Sequence, residues 1–148
     1  MKRILAALAL IAPLPAAAHV HLHPERAPAG AAVEIALQIG HGCAGAATTA
    51  LRLALPEGLS DIRPVPKAGW DVSVVTAVPG GRVTEIRWTG GELADDRKDS
   101  FVFAATPEAA GEIALPVIQT CGAQETRWIK RGAAAEHPAP VLTVVPGA

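Results

Sequence analysis

The sequence predicts an all-β chain folded as a two-sheet sandwich, and three observations carry that expectation. Fourteen glycines and 13 prolines in 148 residues interrupt the chain too often for a helical bundle and supply turns between short strands. Apolar and polar residues alternate with a period of two in several segments, the pattern of strands with one buried face. No segment beyond the first residues keeps a helical period. Hydrophobic residues make up 50% of the chain and aromatic ones 3%, so the core must be built mainly from Ala, Val, Leu and Ile. Such a composition argues against disorder.

The first element is not part of the fold. Met1-Lys2-Arg3 is a positive start, Ile4 to Leu14 an apolar run broken by Pro13, and Ala16-Ala17-Ala18 the small residues of a cleavage site. This is a signal peptide over residues 1–18, too short to span a membrane. The mature chain is then a single domain, residues 19–148, with His19 at its amino terminus. It keeps 11 basic and 14 acidic residues, a charge of −3, and loses Met1, the one methionine. A charge so close to zero excludes the basic face of a nucleic-acid binder. No later run of 18 apolar residues provides a membrane anchor, so the expected location is periplasmic or secreted.

The strands follow in order. Val33, Ile35, Leu37 and Ile39 alternate with Glu34, Ala36 and Gln38, which places Glu34 on the face away from the core. Gly40-His41-Gly42 reads as a turn. Leu51, Leu53 and Leu55 alternate up to Pro56-Glu57-Gly58. Residues 62–70, with Pro64, Pro66 and Gly69, read as an extended connection. Val72 to Val78 and Arg82 to Trp88 flank Pro79-Gly80-Gly81 as a hairpin. Phe101 to Ala105, Glu112 to Cys121, Thr126 to Lys130 and Val141 to Val145 complete a set of about eight strands, which points to an immunoglobulin-like β-sandwich. Asp95, Asp96 and Asp99 flank Arg97 and Lys98 and read as a solvated loop.

Export puts Cys43 and Cys121 in an oxidising compartment, where an even count favours a disulfide. A thiolate metal pair is the alternative. Bridged, the two sulfurs leave the roster of metal ligands.

The mature amino terminus reads His19-Val20-His21-Leu22-His23-Pro24, with three imidazoles on one face if the segment is extended. A terminal histidine can chelate one metal through its α-amine and its own Nδ1. An α-amine pKa near 8 lets a strong Lewis acid displace that proton at neutral pH. Nitrogen donors with a carboxylate suit Cu(II). Without methionine, and with both cysteines bridged, soft donors for Cu(I) are missing. A second geometry is open to the same residues: a square-planar chelate of the amine, two deprotonated amides and the His21 imidazole. It competes for the same amine, and His21 is an accessory group if the His19 chelate prevails. The plain alternative is that the histidines decorate an exposed strand end.

A longer series of motifs runs through the chain: A-H-V from Ala18, H-G-C at 41–43, T-T-A-L-R from Thr48, P-E-G at 56–58 and P-V-P-K-A-G-W at 64–70. It continues with W-T-G-G at 88–91, D-S-F-V-F at 99–103, P-V-I-Q-T-C at 116–121, R-W at 127–128 and H-P-A-P at 137–140. In this order they resemble the YcnI-like (DUF1775) family of exported bacterial copper-binding domains over essentially the whole mature chain. The resemblance implies an immunoglobulin-like sandwich and one Cu(II) at a single-histidine brace made by the processed terminus. It also implies a carboxylate from the first long strand and a tryptophan near the metal. Carried over by position, these are His19, Glu34 and Trp128. His21 departs from the family, which commonly has a non-coordinating residue there. His41 and His137 lie in family motifs beside Gly or Pro and are expected to serve turns.

The expected function is therefore an exported copper-binding protein of copper homeostasis, not an enzyme. Handover to a copper chaperone or copper transporter is implied by resemblance. The alternatives are a histidine-brace copper oxygenase, which generally needs a second, separate histidine, and a structural or partner-binding sandwich without a metal.

Overall fold

Alternation along the chain becomes burial in space. The segment Val33–Ile39 sends Ile35, Leu37 and Ile39 inward while Glu34 and Gln38 face out. The computed structural model describes residues 19–132 and 134–148; the signal peptide expected over residues 1–18 lies outside them. Among the described residues the strands are β1 (His21–His23), β2 (Arg26–Pro28), β3 (Val33–Ile39), β4 (Ala50–Ala54), β5 (Leu59–Pro64) and β6 (Asp71–Thr76). They continue as β7 (Val83–Thr89), β8 (Asp99–Pro107), β9 (Gly111–Ala114), β10 (Val117–Cys121), β11 (Gln124–Trp128) and β12 (Val141–Val145).

They form a four-stranded sheet in the order β1-β3-β8-β5 and a five-stranded sheet in the order β11-β10-β4-β7-β6. A small third sheet, β2-β12-β9, adds Ala27, Leu142 and Val144 to the core. The first sheet contributes Ile35, Leu37, Phe101 and Phe103, and the second contributes Leu51, Leu53, Ile86 and Trp88, all fully buried. Each aliphatic or Phe side chain of this kind stabilises the fold by about 1.5–3 kcal/mol relative to its exposed state. Cys43, just past β3, is bridged to Cys121 at the end of β10. The disulfide thus ties the loop after β3 to the end of β10 across 78 residues of sequence.

The sandwich has more strands than the alternation announces, for local reasons. β1 and β2 are three residues each, too short to show a period. β5 occupies the start of the expected connection; Asp61 adopts φ 49° where its pairing with β8 slips. The single strand expected over Glu112 to Cys121 is two, because Pro116 carries no N–H for a ladder and separates β9 from β10. The Pro79-Gly80-Gly81 hairpin is present, with β6 and β7 antiparallel and Gly80 at φ 72°.

Candidate metal centre

One polar side chain in the core organises this end of the molecule. β10 turns Val117, Gln119 and Cys121 inward, and Gln119 is 1% exposed. A buried amide must find partners or lose the free energy of its hydration. Gln119 Oε1 accepts the indole N–H of Trp128 at 3.0 Å. Its Nε2 donates to the backbone carbonyl of His41 at 2.7 Å and to Thr48 Oγ1 at 2.8 Å. Trp128 closes β11 opposite Val117 and is 3% exposed. The amide therefore joins three separate stretches of chain.

The loop carrying His41 is clamped at further points. Gly42 N–H donates to Asp95 Oδ1 at 3.0 Å. A Cβ on Gly42 would run into the Ala46 carbonyl, so no other residue fits there. Cys43 and Ala46 exchange backbone hydrogen bonds of 3.0 and 2.9 Å, and Cys43 is held by the disulfide. His41 Nδ1 contacts the Gly42 carbonyl oxygen. A carbonyl only accepts, so in this contact Nδ1 is the donor.

Around Trp128 the structure gathers imidazoles from three segments. Ring centroids lie 6.4 Å away for His19, 6.1 Å for His41 and 4.9 Å for His137, all edge-on. His137 reaches the indole from a left-handed backbone, φ 54°, a conformation that costs a non-glycine residue about 1 kcal/mol or more. Its Nε2 lies 3.8 Å from Glu136 Oε1. The ring of His19 is 6.2 Å from that of His21, and both line a cleft of about 480 Å³ together with Gln38, Lys98 and Asp99. No three His, Cys, Asp or Glu side chains among the described residues form a ligand set on their own. The donors within reach of Trp128 are imidazoles and, after cleavage, an amine. Two pKa displacements belong to β4 and β7. Burial raises the Glu85 carboxyl, but hydrogen bonds from Arg52 and Arg87 outweigh it and hold it below the carboxylate range. The Arg52 guanidinium is raised by its hydrogen bond to Glu85.

Set against the sequence expectations, the structure brings His19 and Trp128 together, and Cys43 with Cys121, which closes the thiolate alternative. It does not bring Glu34 to His19. β1 meets β3 with His21 opposite Gln38 and His23 opposite Ala36. Glu34 is four residues farther along, about 13 Å from Gln38 at the rise of a strand, while His19 precedes β1 at its other end. The period of two found the right face of β3; the antiparallel register puts that carboxylate at the wrong end. His41 and His137 are more than turn residues, since both rings rest on Trp128. Asp95 is half-buried and bonded to Gly42 rather than merely solvated. The square-planar chelate meets an obstacle as well: Val20 is 5% exposed within the core, and wrapping the backbone around a metal would pull it out. A signal for His41 was present in the sequence. It stands two residues before Cys43, and Gln119 two residues before Cys121, so the bridge alone draws them together.

Fold and site define an immunoglobulin-like β-sandwich whose amino-terminal end surrounds a buried tryptophan with histidines. The chain belongs to the family described as a domain of unknown function, DUF1775, whose model matches residues 19–144. It is similar to an uncharacterized protein from Nocardia farcinica whose crystal structure is described as revealing an immunoglobulin-like fold. The two share 25% identity and a TM-score of 0.73 over 85% of this chain and 97% of that one. No curated protein matches the chain.

Proposed function

We propose that the mature chain, exported and cleaved after Ala18, carries Cu(II) at its amino terminus. The donors are the α-amine and Nδ1 of His19 with Nε2 of His41. The observation that supports this most directly is the placement of both imidazoles against one buried indole, at 6.4 and 6.1 Å. Three nitrogen donors suit Cu(II), which heads the affinity order of the divalent first-row ions. The contact of His41 Nδ1 with the Gly42 carbonyl orients the ring, as a hydrogen bond behind a metal-binding imidazole does. Trp128 donates its own N–H to Gln119; the indole is not a ligand and would instead help exclude water from the site.

A protein of this kind belongs to copper homeostasis, passing its ion to a copper chaperone or transporter outside the cytoplasm. One observation favours a second reading. His41 is the separate histidine that a three-nitrogen brace of a copper oxygenase requires. Against it, the large exposed apolar side chains among the described residues are Val74, Val78, Ile129 and Val141, all aliphatic, which leaves no flat aromatic face for a polymer. We therefore read the chain as a carrier rather than an enzyme.

The test is a Cu(II) competition titration of three proteins: the mature chain, His41→Ala, and a chain retaining Ala18. The mature chain should show one tight equivalent. Blocking the amine or removing His41 should weaken that equivalent by about tenfold or more, at least 1.4 kcal/mol. Equal affinity in all three would remove the brace, and copper-dependent turnover with peroxide would move the reading to the oxygenase.

A further inference from the structure

Beyond the His19 centre, we infer a second metal site on β1, formed by the imidazole pair of His21 and His23. Leu22 is 3% exposed and points into the core, so the two histidines that flank it both face solvent on one side of the strand. Residues two apart on a strand are separated by about 6.5–7 Å, and two imidazoles leaning toward each other from that spacing can close on one ion. β1 stands at the margin of its sheet, paired with β3 alone, so no described strand covers its outer edge.

The surroundings fit a cation with borderline-soft preferences. His21 and His23 line one open depression of about 450 Å³ together with Glu25, Arg26 and Gln38. One basic and one acidic side chain share the depression, so imidazole nitrogens, rather than net negative charge, must hold the ion. That selects Cu(II), Ni(II) or Zn(II) over Ca(II) or Mg(II), which demand oxygen ligands. No hydrogen bond or ion pair with a described residue ties down the His23 ring, so no existing contact must be broken on binding. His21 also stands 6.2 Å from His19, which makes the two sites neighbours at the amino terminus. An ion captured on the exposed pair is thus positioned to pass to the more enclosed centre at Trp128.

His23 separates the two sites, since it contacts neither His19 nor Trp128. Cu(II) titration of the mature chain, followed by electron paramagnetic resonance, should show two equivalents with distinct spectra. His23→Ala should abolish the weaker equivalent and leave the tight one unchanged; His19→Ala should do the reverse. In the chain that retains Ala18, the weaker equivalent should persist and still vanish with His23→Ala. This arm stands even if the brace at His19 fails. A single equivalent in the mature chain that His23→Ala leaves intact would overturn the second site, as would two equivalents both insensitive to His23→Ala. Because His23 is exposed on an edge strand, circular dichroism of the variant should match that of the parent chain.

Discussion

Trp88 and Trp128 are both buried tryptophans on the same sheet, yet the structure uses them in opposite ways. Trp88 packs against Phe101 from the facing sheet at 5.7 Å, and Trp70 closes on the same Phe at 5.0 Å. Lys67 caps that cluster, with its ammonium 4.7 Å from the Phe101 ring and 2.8 Å from Asp99. The indole N–H of Trp88 finds no hydrogen-bond partner among the described residues. Trp128, by contrast, has its N–H satisfied by Gln119 and its edges occupied by imidazoles. The first cluster accepts an unpaired donor, which costs about 1–3 kcal/mol, in return for apolar area. The second keeps every polar group of its organising amide paired and sets imidazole rings around the indole. Packing alone explains the Trp88 end. It does not explain why polar, metal-competent rings converge at the Trp128 end.

Three changes would break or sharpen this contrast. The largest effect is expected from replacing Cys43 and Cys121 together by serine. Opening a loop of this length removes roughly 4–5 kcal/mol in the chain-entropy model. Hydrogen exchange should show the loss of protection concentrated in the His41 loop and β10, with Trp88 and its neighbours still protected. Uniform loss over both ends would mean that the bridge does not specifically support the centre. Phe101→Ala comes next, at about 3–5 kcal/mol of stability by denaturant unfolding. It should leave the tight Cu(II) equivalent unchanged, because the cavity opens against Trp88 and Trp70 with β4 between it and Gln119; a comparable loss of copper affinity would join the two clusters into one unit. The smallest is Gln119→Leu, about 1–3 kcal/mol. It leaves the Trp128 N–H and the His41 carbonyl without their partner. Its signature is selective: faster exchange of the Trp128 indole proton, no change at Trp88, and weaker copper binding. Unchanged affinity would show that the amide serves the core and not the centre.

The family match and the likeness to the Nocardia farcinica protein both agree with the all-β sandwich, and that agreement has a plain origin. Alternation along β3, β4, β7 and β8 is a local property, read from neighbours in the chain, and burial simply follows it. The hairpin at Pro79-Gly80-Gly81 is local as well. The short strands are not legible in the sequence because three residues cannot display a period, and the break at Pro116 is masked because the apolar pattern runs on either side of it.

The sequence by itself determined the faces of the long strands, the pairing of the only two cysteines, and the histidine-rich end that export would expose. Only the tertiary structure decided which side chains share the space around Trp128. Glu34 has the right chemistry and the right face, and antiparallel register carries it away from His19. His41 and His137 look like turn residues in one dimension, and they arrive at the indole because Gln119, Asp95 and the disulfide hold the first loop in place and a left-handed backbone presents the second. The physical reason is that periodicity reports only which way a side chain points. Distance between segments is set by register and by long-range bonds, and these are properties of the assembled sheets.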